Sequence, residues 1–477
     1  MRKIIITAIA VCLAFLSCRN NQKHDVRQET PKDGFTIEPV SDSMMENAVI
    51  YEANIRQYSP EGTFNAFAKD IPTLKQLGVQ IIWVMPINPI SKIKRKATGD
   101  KFTSDIEDEN ERKKYLGSYY SVSDYKAINP EFGTLDDFKN LVKTAHENGI
   151  YVIVDWVPNH TGWDHPWIAN HPDYYTQNDR GEIIDPINPD TGESWGWTDV
   201  ADLNYDNQAM RNDMITDLKY WITEANIDGY RMDVAHKVPV DFFETVTAEL
   251  NTIKPVFMLA EAEQPNLLLN AFDMQYAWEG HHIFNEMAKG NMTVKDFDAY
   301  MVKLDSILEK DDINMNFITN HDENSWNGTL KERMPDSKDI FTALSYTMPG
   351  MPLIYSGQEY DLSHRLKFFE KDSIPKTKGN YFGLLEKLGA LKHNNPALNG
   401  GKQAATYKRL NSEDNVLLFE RKKGGHTIIF AGNFSEKPQQ VVIPQGVYLD
   451  YISNIEVEFN GSPLDLGAWA YKILVLK

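Results

Sequence analysis

Cysteine is nearly absent from the sequence: the 477 residues contain two, Cys12 and Cys18, and both lie close to the amino terminus. A disulfide framework is therefore excluded for everything after Cys18, and packing must stabilise the fold. The apolar run from Ile4 to Leu16 is too short to remain in a membrane as a spanning helix. With 42% hydrophobic and 25% charged residues, the chain has the composition of an ordinary globular protein.

Positive charge is also scarce. Lys and Arg number 49 against 68 Asp and Glu, which gives a net charge of -19. A nucleic-acid partner would need a concentrated basic footprint, so we expect no such partner and favour a neutral ligand. No Gly-rich phosphate loop follows the first predicted strand, and no His-x-x-x-His pair or Cys cluster occurs. These absences weigh against a nucleotide enzyme and against metal centres of those types.

The first 45 residues have the pattern of an export signal and a tether. Arg2 and Lys3 precede the apolar run and Ser17-Cys18 follows it, so residues 1–17 are predicted to be a signal peptide. A small residue before Cys18 resembles a bacterial lipoprotein cleavage site, and plain secretion is the alternative. Residues 18–45 are polar and predict a flexible tether. We expect an envelope lipoprotein, periplasmic or at the cell surface, whose membrane contact is a lipid on Cys18.

Residues 46–395 alternate between strand and helix patterns. Apolar runs followed by helical periodicity repeat eight times, which predicts a closed parallel (β/α)8 barrel rather than an open sheet. The predicted strands are 48–54, 79–85, 151–154, 228–233, 255–260, 271–276, 314–319 and 352–356. Helical spacing is clearest at 64–77, 281–310, 338–348 and 381–393.

Three further segments complete the organisation. The charged insertion 92–114 is either a solvated loop or a rim over the site. Residues 162–206, rich in Trp, Pro, Asn and Asp, predict a short excursion domain after the third strand. Residues 402–477 show short alternating strands and a hairpin signal at Gly424-Gly425, which predicts an antiparallel β-domain.

Four acids lie where predicted barrel strands end: Asp155, Asp233, Glu261 and Asp322. Arg231 shares a strand face with Asp233, and a charged pair buried in an apolar strand needs partners or a task. Active sites of such barrels lie at the carboxyl ends of the strands. One carboxylate as nucleophile and a second as proton donor are what glycoside hydrolysis needs.

The segments around these acids resemble the signature segments of the α-amylase family, glycoside hydrolase family 13. Their order and their places on strands three, four, five and seven agree. The segments are DWVPNH at 155–160, GYRMD at 229–233, Glu261 and NHD at 320–322, supported by NPEFGT at 129–134, ADLN at 201–204, GMPL at 350–353 and GQE at 357–359. The likeness covers nearly everything after residue 47.

The resemblance implies roles for individual residues. Asp233 would be the nucleophile, Glu261 the general acid and then base, and Asp322 the stabiliser of the transition state. Substrate binding is implied for Tyr120, His160, Arg231 and His321. No cofactor is implied for the chemistry, although Asn159 and Asp202 match positions that bind calcium in some relatives.

The expected function is hydrolysis of α-1,4 bonds in starch-type glucans or maltooligosaccharides with retention of configuration. The alternatives are a neopullulanase-like or cyclomaltodextrinase-like hydrolase, an α-glucan transglycosylase, and an inactive glycan-binding lipoprotein. Ala235-His236-Lys237 and Ser118-Tyr119 depart from the common family pattern, which bears on linkage and chain length. Four tryptophans of the excursion, at 163, 167, 195 and 197, would either stack on sugars or form its core.

The anchor prediction is testable by acyl labelling in a bacterial host. The wild-type chain should incorporate a labelled fatty acid and fractionate with membranes, because Cys18 would carry the lipid. Cys18→Ala should lose the label, whereas Cys12→Ala should keep it. A soluble wild type, or a label retained in Cys18→Ala, would contradict the prediction.

Overall fold

A computed structural model describes residues 37–99 and 101–477 of the protein. The predicted signal peptide and the lipidation site at Cys18 lie outside the described residues. Among the residues described, no helix combines the length and the apolar character needed to cross a membrane.

Eight parallel strands close into a barrel, which confirms the predicted fold class. Consecutive strands are neighbours around the ring, and the last pairs with the first, Ile50 lying opposite Leu353. The strands are β1 (Ile50–Ala53), β2 (Ile81–Val84), β3 (Tyr151–Trp156), β4 (Gly229–Met232), β5 (Phe257–Ala260), β6 (Met274–Tyr276), β7 (Ile313–Asn316) and β8 (Met351–Tyr355). All their residues are buried, as expected for strands covered on both faces.

The barrel interior is apolar at one end and charged at the other. Alternation along β3 turns Tyr151, Ile153 and Asp155 inward, while Val152 and Val154 pack under the helices. The carboxyl end of the interior therefore receives the charged side chains. This asymmetry makes the carboxyl end of the barrel the place to look for a functional site.

Helices cover the outside of the barrel. They are Ile55–Tyr58, Phe64–Ala68, Ile71–Gln76, Leu135–Glu147, Gln208–Glu224, Val240–Asn251, Trp278–Ala288, Val294–Ile307, Leu330–Arg333, Lys338–Thr347 and Asn380–Asn394. The helix predicted over 64–77 is two helices, because Pro72 lacks an N–H and occupies the first turn of the second.

The sequence predicts a helix after each of the eight strands, but the part of the chain that the structure describes has no full helix between β5 and β6. Residues 261–273 connect β5 to β6, and the regular element within them is the 3-10 helix Pro265–Leu267. This connection is close to the minimum of about a dozen residues for a crossover between parallel strands. It therefore leaves no room for a full helix.

Two segments form the surface around the carboxyl end. Within the insertion 92–114 are the 3-10 helix Thr103–Asp105 and the helix Glu109–Arg112. The excursion contains the antiparallel ribbon His160–Gly162 and Val200–Asp202, together with the helix Pro166–Asn170 and the 3-10 helix Pro172–Tyr174.

The carboxyl-terminal region is antiparallel, as predicted. Alternating residues of its six-stranded sheet face either a second sheet of two strands or the barrel helix Lys338–Thr347. On the helix side, the ring centroids of Phe341 and Phe434 are 5.3 Å apart. Buried Arg421 joins the two parts by donating to the Thr347 carbonyl at 2.9 Å. The strands are β9 (Thr406–Arg409), β10 (Val416–Lys423), β11 (His426–Asn433), β12 (Gln439–Val442), β13 (Gly446–Asp450), β14 (Ile455–Phe459), β15 (Pro463–Leu466) and β16 (Tyr471–Leu476).

The compact unit begins at Ile37, before the predicted tether ends at residue 45. Ile37, Val40, Met44 and Met45 pack against the apolar end of the barrel interior. Ser41 caps the helix Asp42–Asn47, whose first residues come from this segment. The last part of the segment is therefore not a tether, because its few apolar residues close the bottom of the barrel.

Gly229, the first residue of β4, allows a close approach of β5. Its φ is +148°, and a Cβ placed there would lie 1.9 Å from the Phe257 carbonyl oxygen. Gly229→Ala should destabilise the protein by at least about 3 kcal/mol, because backbone must shift and the conformation is unfavourable for alanine. Chemical denaturation would measure the change.

Gly383→Ala is the matched control. Gly383 lies inside the helix Asn380–Asn394, and a Cβ there meets nothing within 4 Å. Alanine should stabilise this helix by roughly 0.5 to 1 kcal/mol. Equal effects of the two substitutions would contradict the close approach at Gly229.

Candidate active site

The structure brings the four acids to the carboxyl end of the barrel. Asp155 lies within β3, Asp233 and Glu261 directly follow β4 and β5, and Asp322 comes after β7 at the start of a π-helix, Glu323–Asn327. Asp155 is fully buried, whereas the side chain of Asp322 is 37% exposed. The group therefore extends from the barrel interior to the open surface.

Arg231 lies at the centre of the acids. Its Nη1 donates to Asp155 Oδ1 at 2.8 Å and to Asp233 Oδ1 at 2.7 Å. Its Nη2 is 2.9 Å from Glu261 Oε2, without the alignment of a hydrogen bond, and its Nε donates to the Tyr276 hydroxyl at 3.2 Å. One buried guanidinium therefore contacts three carboxyl groups, two of them through charge-assisted hydrogen bonds, which are roughly twice as strong as neutral ones.

Asp233 and Glu261 form a coupled pair. Burial raises the pKa of Asp233 well above its usual value, the negative charge of Glu261 raises it further, and Arg231 opposes both. Two neighbouring carboxyl groups in such a site cannot both ionise freely. The proximity of the two carboxyl groups therefore disfavours a negative charge on Asp233, and Arg231 counteracts that effect.

Asp155 is held as a structural carboxylate. Trp83 Nε1 and the Tyr120 hydroxyl each donate to its Oδ2 at 3.1 Å, and Arg231 occupies Oδ1. Burial raises the pKa of Asp155 to about 6 against the opposing charges of Arg231 and His321. Its oxygens are thus occupied by protein donors.

Val234 has an unusual backbone immediately after Asp233. Its φ of 38° and ψ of 45° place a β-branched residue in the left-handed region, which costs on the order of 1–3 kcal/mol. The Val234 N–H donates to Glu261 Oε2 at 2.7 Å. The turn after Asp233 therefore also orients Glu261.

His321 extends the network to Glu52 on β1. Its Nδ1 lies 2.5 Å from Glu52 Oε1, and its Nε2 lies 2.8 Å from the Tyr120 hydroxyl. Because that hydroxyl donates to Asp155, it accepts from His321, and both ring nitrogens are donors. Burial alone would lower the pKa of His321, but the charges of Asp322 and Glu52 raise it to about 9. His321 is therefore an imidazolium at neutral pH.

His160 is neutral by contrast. Burial lowers its pKa to about 3, although the nearby Tyr120 backbone acts in the opposite direction. Asn159 Nδ2 lies 3.1 Å from its Nδ1. His160 thus adjoins the network beside Tyr120, whose ring stacks on His321 at a centroid distance of 5.5 Å. The three residues predicted for catalysis and the four predicted for substrate binding therefore lie together in one site.

A family model decides the identity of this barrel. The model of the alpha amylase catalytic domain matches residues 40–289, more than half of the 477 residues. The chain belongs to the alpha-amylase family.

Individual members of the amylase family support this assignment. The cyclomaltodextrin glucanotransferase of Bacillus sp. (strain 38-2) is 28% identical over 396 residues, which are 73% of this chain and 52% of that protein. The chain thus spans about half the length of the curated relatives it matches.

Two solved α-amylase structures cover the fold almost completely. The α-amylase of Lactobacillus plantarum is 27% identical with a TM-score of 0.78, covering 92% of this chain and 100% of that one. A noncanonic maltogenic α-amylase of Thermotoga neapolitana is 25% identical with a TM-score of 0.76, covering 90% and 98%.

The sequence analysis of this amylase-family chain missed Glu52 and Val234. It also missed Trp83 and Tyr276, which contact Asp155 and Arg231 respectively. Glu52 is a single acid within the apolar first strand, so its position was a visible signal. The strained backbone of Val234 could not be predicted from its residue type, since valine normally occurs in strands.

The calcium expectation at Asn159 and Asp202 finds no matching donor set. Calcium takes six to eight oxygen ligands, and the described residues contain no cluster of three or more His, Cys, Asp or Glu side chains able to hold a metal. Asn159 turns its amide nitrogen to His160, and the charge that favours ionised Asp202 is that of Lys237. Calcium also takes backbone and amide oxygens, so the calcium expectation stays a prediction.

Trp163, Trp167 and Trp197 are partly buried, whereas Trp195 is 41% exposed. Trp167 packs edge-on against Tyr174, with the ring centroids 5.3 Å apart. The ammonium of Lys94 lies over Trp163 at 3.6 Å from its centroid, and that of Lys237 lies over Trp195 at 3.8 Å.

Trp197 stacks on Trp195 with a centroid distance of 6.2 Å. It is also 5.8 Å from the His160 ring, which places it beside the site. Of the four, Trp197 therefore has the position that suits a ligand contact.

The Glu52 contact predicts a shift in the titration of His321. Glu52→Gln preserves size but removes the carboxylate, so the pKa of His321 should fall from about 9 by at least about one unit. NMR titration of labelled histidine rings would measure it, with His321→Asn identifying the signal.

The sign of the stability effect follows from the raised pKa. The contribution of His321 is present below its unfolded pKa of about 6.5 and is lost as pH rises through about 9. The stability difference between wild type and Glu52→Gln should therefore shrink over that window. Glu359→Gln is the control, because Glu359 is equally buried but accepts a hydrogen bond from the Tyr51 hydroxyl instead of contacting His321. An unchanged His321 titration in Glu52→Gln would exclude the assigned contact.

Proposed function

We propose that the protein is a retaining α-glycoside hydrolase that cleaves α-1,4-glucosidic bonds in starch-type glucans or maltooligosaccharides. The observation that carries the proposal is the contact of one buried arginine, Arg231, with both Asp233 and Glu261. Retaining glycosidases use two such carboxyl groups at one bond. Membership of the alpha-amylase family supports the same chemistry.

In the first step Asp233 attacks the anomeric carbon of the sugar. Glu261 gives its proton to the glycosidic oxygen, the bond to the leaving sugar breaks, and an ester joins Asp233 to the remaining chain. Contacts from Arg231 and Val234 fall on Oε2 of Glu261, so we assign the proton to Oε1. The nucleophile must be ionised to attack, and the Arg231 bond to Asp233 Oδ1 opposes the burial and the Glu261 charge that raise the pKa of Asp233.

In the second step water replaces Asp233. Glu261, now ionised, takes a proton from the water, which attacks the anomeric carbon and releases the Asp233 carboxylate. Two inversions restore the original configuration. Both carboxyl groups then regain their starting protonation.

Other groups of the site would position the reacting sugar. The exposed carboxylate of Asp322 would stabilise positive charge in the transition state. The imidazolium of His321 and the neutral ring of His160 would bind hydroxyls, and Tyr120 would carry the sugar ring on its face.

A neutral glucan suits the charge of the protein. A net charge of -19 disfavours polyanionic polysaccharides, and the groups facing the site are hydrogen-bonding and aromatic. The names of the similar proteins, cyclomaltodextrin glucanotransferase and maltogenic α-amylase, concern α-glucans as well.

Transglycosylation is the second candidate. It is favoured by the likeness to cyclomaltodextrin glucanotransferases, each similar over about half its length. In this reaction a sugar hydroxyl would replace water in the second step. The same residues would act, so products must distinguish the two.

Purified protein incubated with maltooligosaccharides, starch, pullulan and cyclodextrins provides the test. Shorter oligosaccharides, released first as α-anomers, would support hydrolysis with retention. Products longer than the supplied oligosaccharide would indicate transfer, and panose from pullulan would favour a neopullulanase-like enzyme. A protein that cuts none of these substrates would refute the proposal.

Replacing Asp233, Glu261 or Asp322 by the corresponding amide should lower kcat by at least roughly a thousandfold, because the three would act as a unit. Asp273→Asn is the control, since Asp273 lies at the opposite end of the barrel, where it accepts from the Met258 N–H. Near-normal turnover in Asp233→Asn would contradict the nucleophile assignment.

A further inference from the structure

We propose that an aromatic surface at the rim of the site, formed by Trp326, Phe368 and Phe369, binds glucose units of the glucan beyond the one at the reaction centre. We call it the rim platform. The inference rests on the proposed function, because its ligand is a more distant part of the same neutral chain. It adds a determinant of chain length that the catalytic residues do not provide.

The rim platform is continuous with the reaction centre. Tyr120 stacks on His321 at 5.5 Å, and Phe368 is nearly parallel to Tyr120 at 6.4 Å and 13°. Trp326 then lies 5.1 Å from Phe368 and 5.9 Å from Phe369. Successive rings therefore lead from the sugar-facing tyrosine to the outer surface.

Trp326 shares an element with a catalytic acid. It belongs to the π-helix Glu323–Asn327, which begins directly after Asp322. Such helices are rare and frequently occur at functional sites. The distance between Asp322 and Trp326 is thus set by one turn of backbone rather than by a flexible loop.

The segment that carries the two phenylalanines is held from several sides. Gln57 Nε2 donates to the Lys367 carbonyl at 2.6 Å, and the Leu116 N–H donates to the Phe369 carbonyl at 2.7 Å. From the π-helix, Asn324 Oδ1 accepts from the Leu366 N–H at 2.8 Å. The rim platform is therefore preorganised, which lowers the entropic cost of binding.

Exposure separates Trp326 from the packed aromatic residues of the protein. Trp326 is 50% exposed, although it adjoins apolar rings that could have covered it. Sugar rings present C–H faces that pack on aromatic faces while their hydroxyls remain in water. Arg365 donates to the Trp326 carbonyl at 3.2 Å and to Glu332, so it fixes the backbone that carries the ring.

The test compares a series from maltotriose to maltoheptaose. In Trp326→Ala, kcat/KM for maltoheptaose should fall roughly five- to tenfold, as expected for loss of one stacking contact. Maltotriose should be cleaved as by wild type, because it need not reach the rim platform. Trp326→Phe should recover much of the loss, since it keeps an aromatic face.

Calorimetric binding of maltoheptaose in the inactive Asp233→Asn background provides a readout that does not depend on turnover. Adding Trp326→Ala should weaken that binding by a similar factor. Val302→Ala, at a 72% exposed position on the outer helix Val294–Ile307, should change neither result. Trp326→Gln is the second variant if alanine prevents folding.

The outcomes separate the two proposals. A wild type that cleaves glucans, together with Trp326 variants whose preference for chain length is unchanged, would overturn the rim platform and leave the proposed function intact. Equal losses on maltotriose and maltoheptaose would also overturn it, because they would indicate a general defect. A wild type that neither cleaves nor binds α-glucans would overturn both.

Discussion

The contact between Arg231 and three carboxyl groups is the interaction on which the site depends. A guanidinium buried in a barrel interior would be strongly destabilising alone, because desolvation of a charge costs several kcal/mol even after relaxation. Asp155 compensates it from within the interior, and Asp233 and Glu261 compensate it from the rim. The same contacts that make the charge tolerable also fix the two carboxyl groups proposed to react. Stability and catalysis therefore constrain this arginine together.

The acids of the barrel interior outnumber the cations that pair with them, and this excess favours proton uptake. Glu52, Asp155, Asp233 and Glu261 face two cations, Arg231 and His321. In a low-dielectric interior the remaining negative charge is reduced most easily by proton uptake. The raised pKa values of Glu52, Asp155 and Asp233 agree with this argument. The excess of acids in the barrel interior thus raises the pKa of these three carboxyl groups.

Much of the fold could be predicted from the sequence, because its signals are local. Apolar strand runs, helical spacing and acids after strands each appear in short segments, and Asp233 and Glu261 directly follow their strands. What could not be predicted depends on distant contacts. The missing helix after β5 follows from connection length, the packing of Met44 and Met45 from an open barrel end, and the pairing of Glu52 with His321 from residues far apart in sequence. The left-handed Val234 depends on the surrounding turn, which residue type does not reveal.

The segments that carry Trp326 and Phe368 lie beside the charged interior of the barrel but outside its ion pairs. The barrel interior is constrained by charge balance, so a substitution there disturbs several carboxyl groups at once. Trp326 lies outside that network but is joined to Asp322 by a single π-helix, and the Phe368 segment is fixed by backbone hydrogen bonds to neighbouring loops. Side chains on this rim can therefore vary without altering the protons at the centre. In the proposed function, such separation would let one catalytic core act on chains of different length.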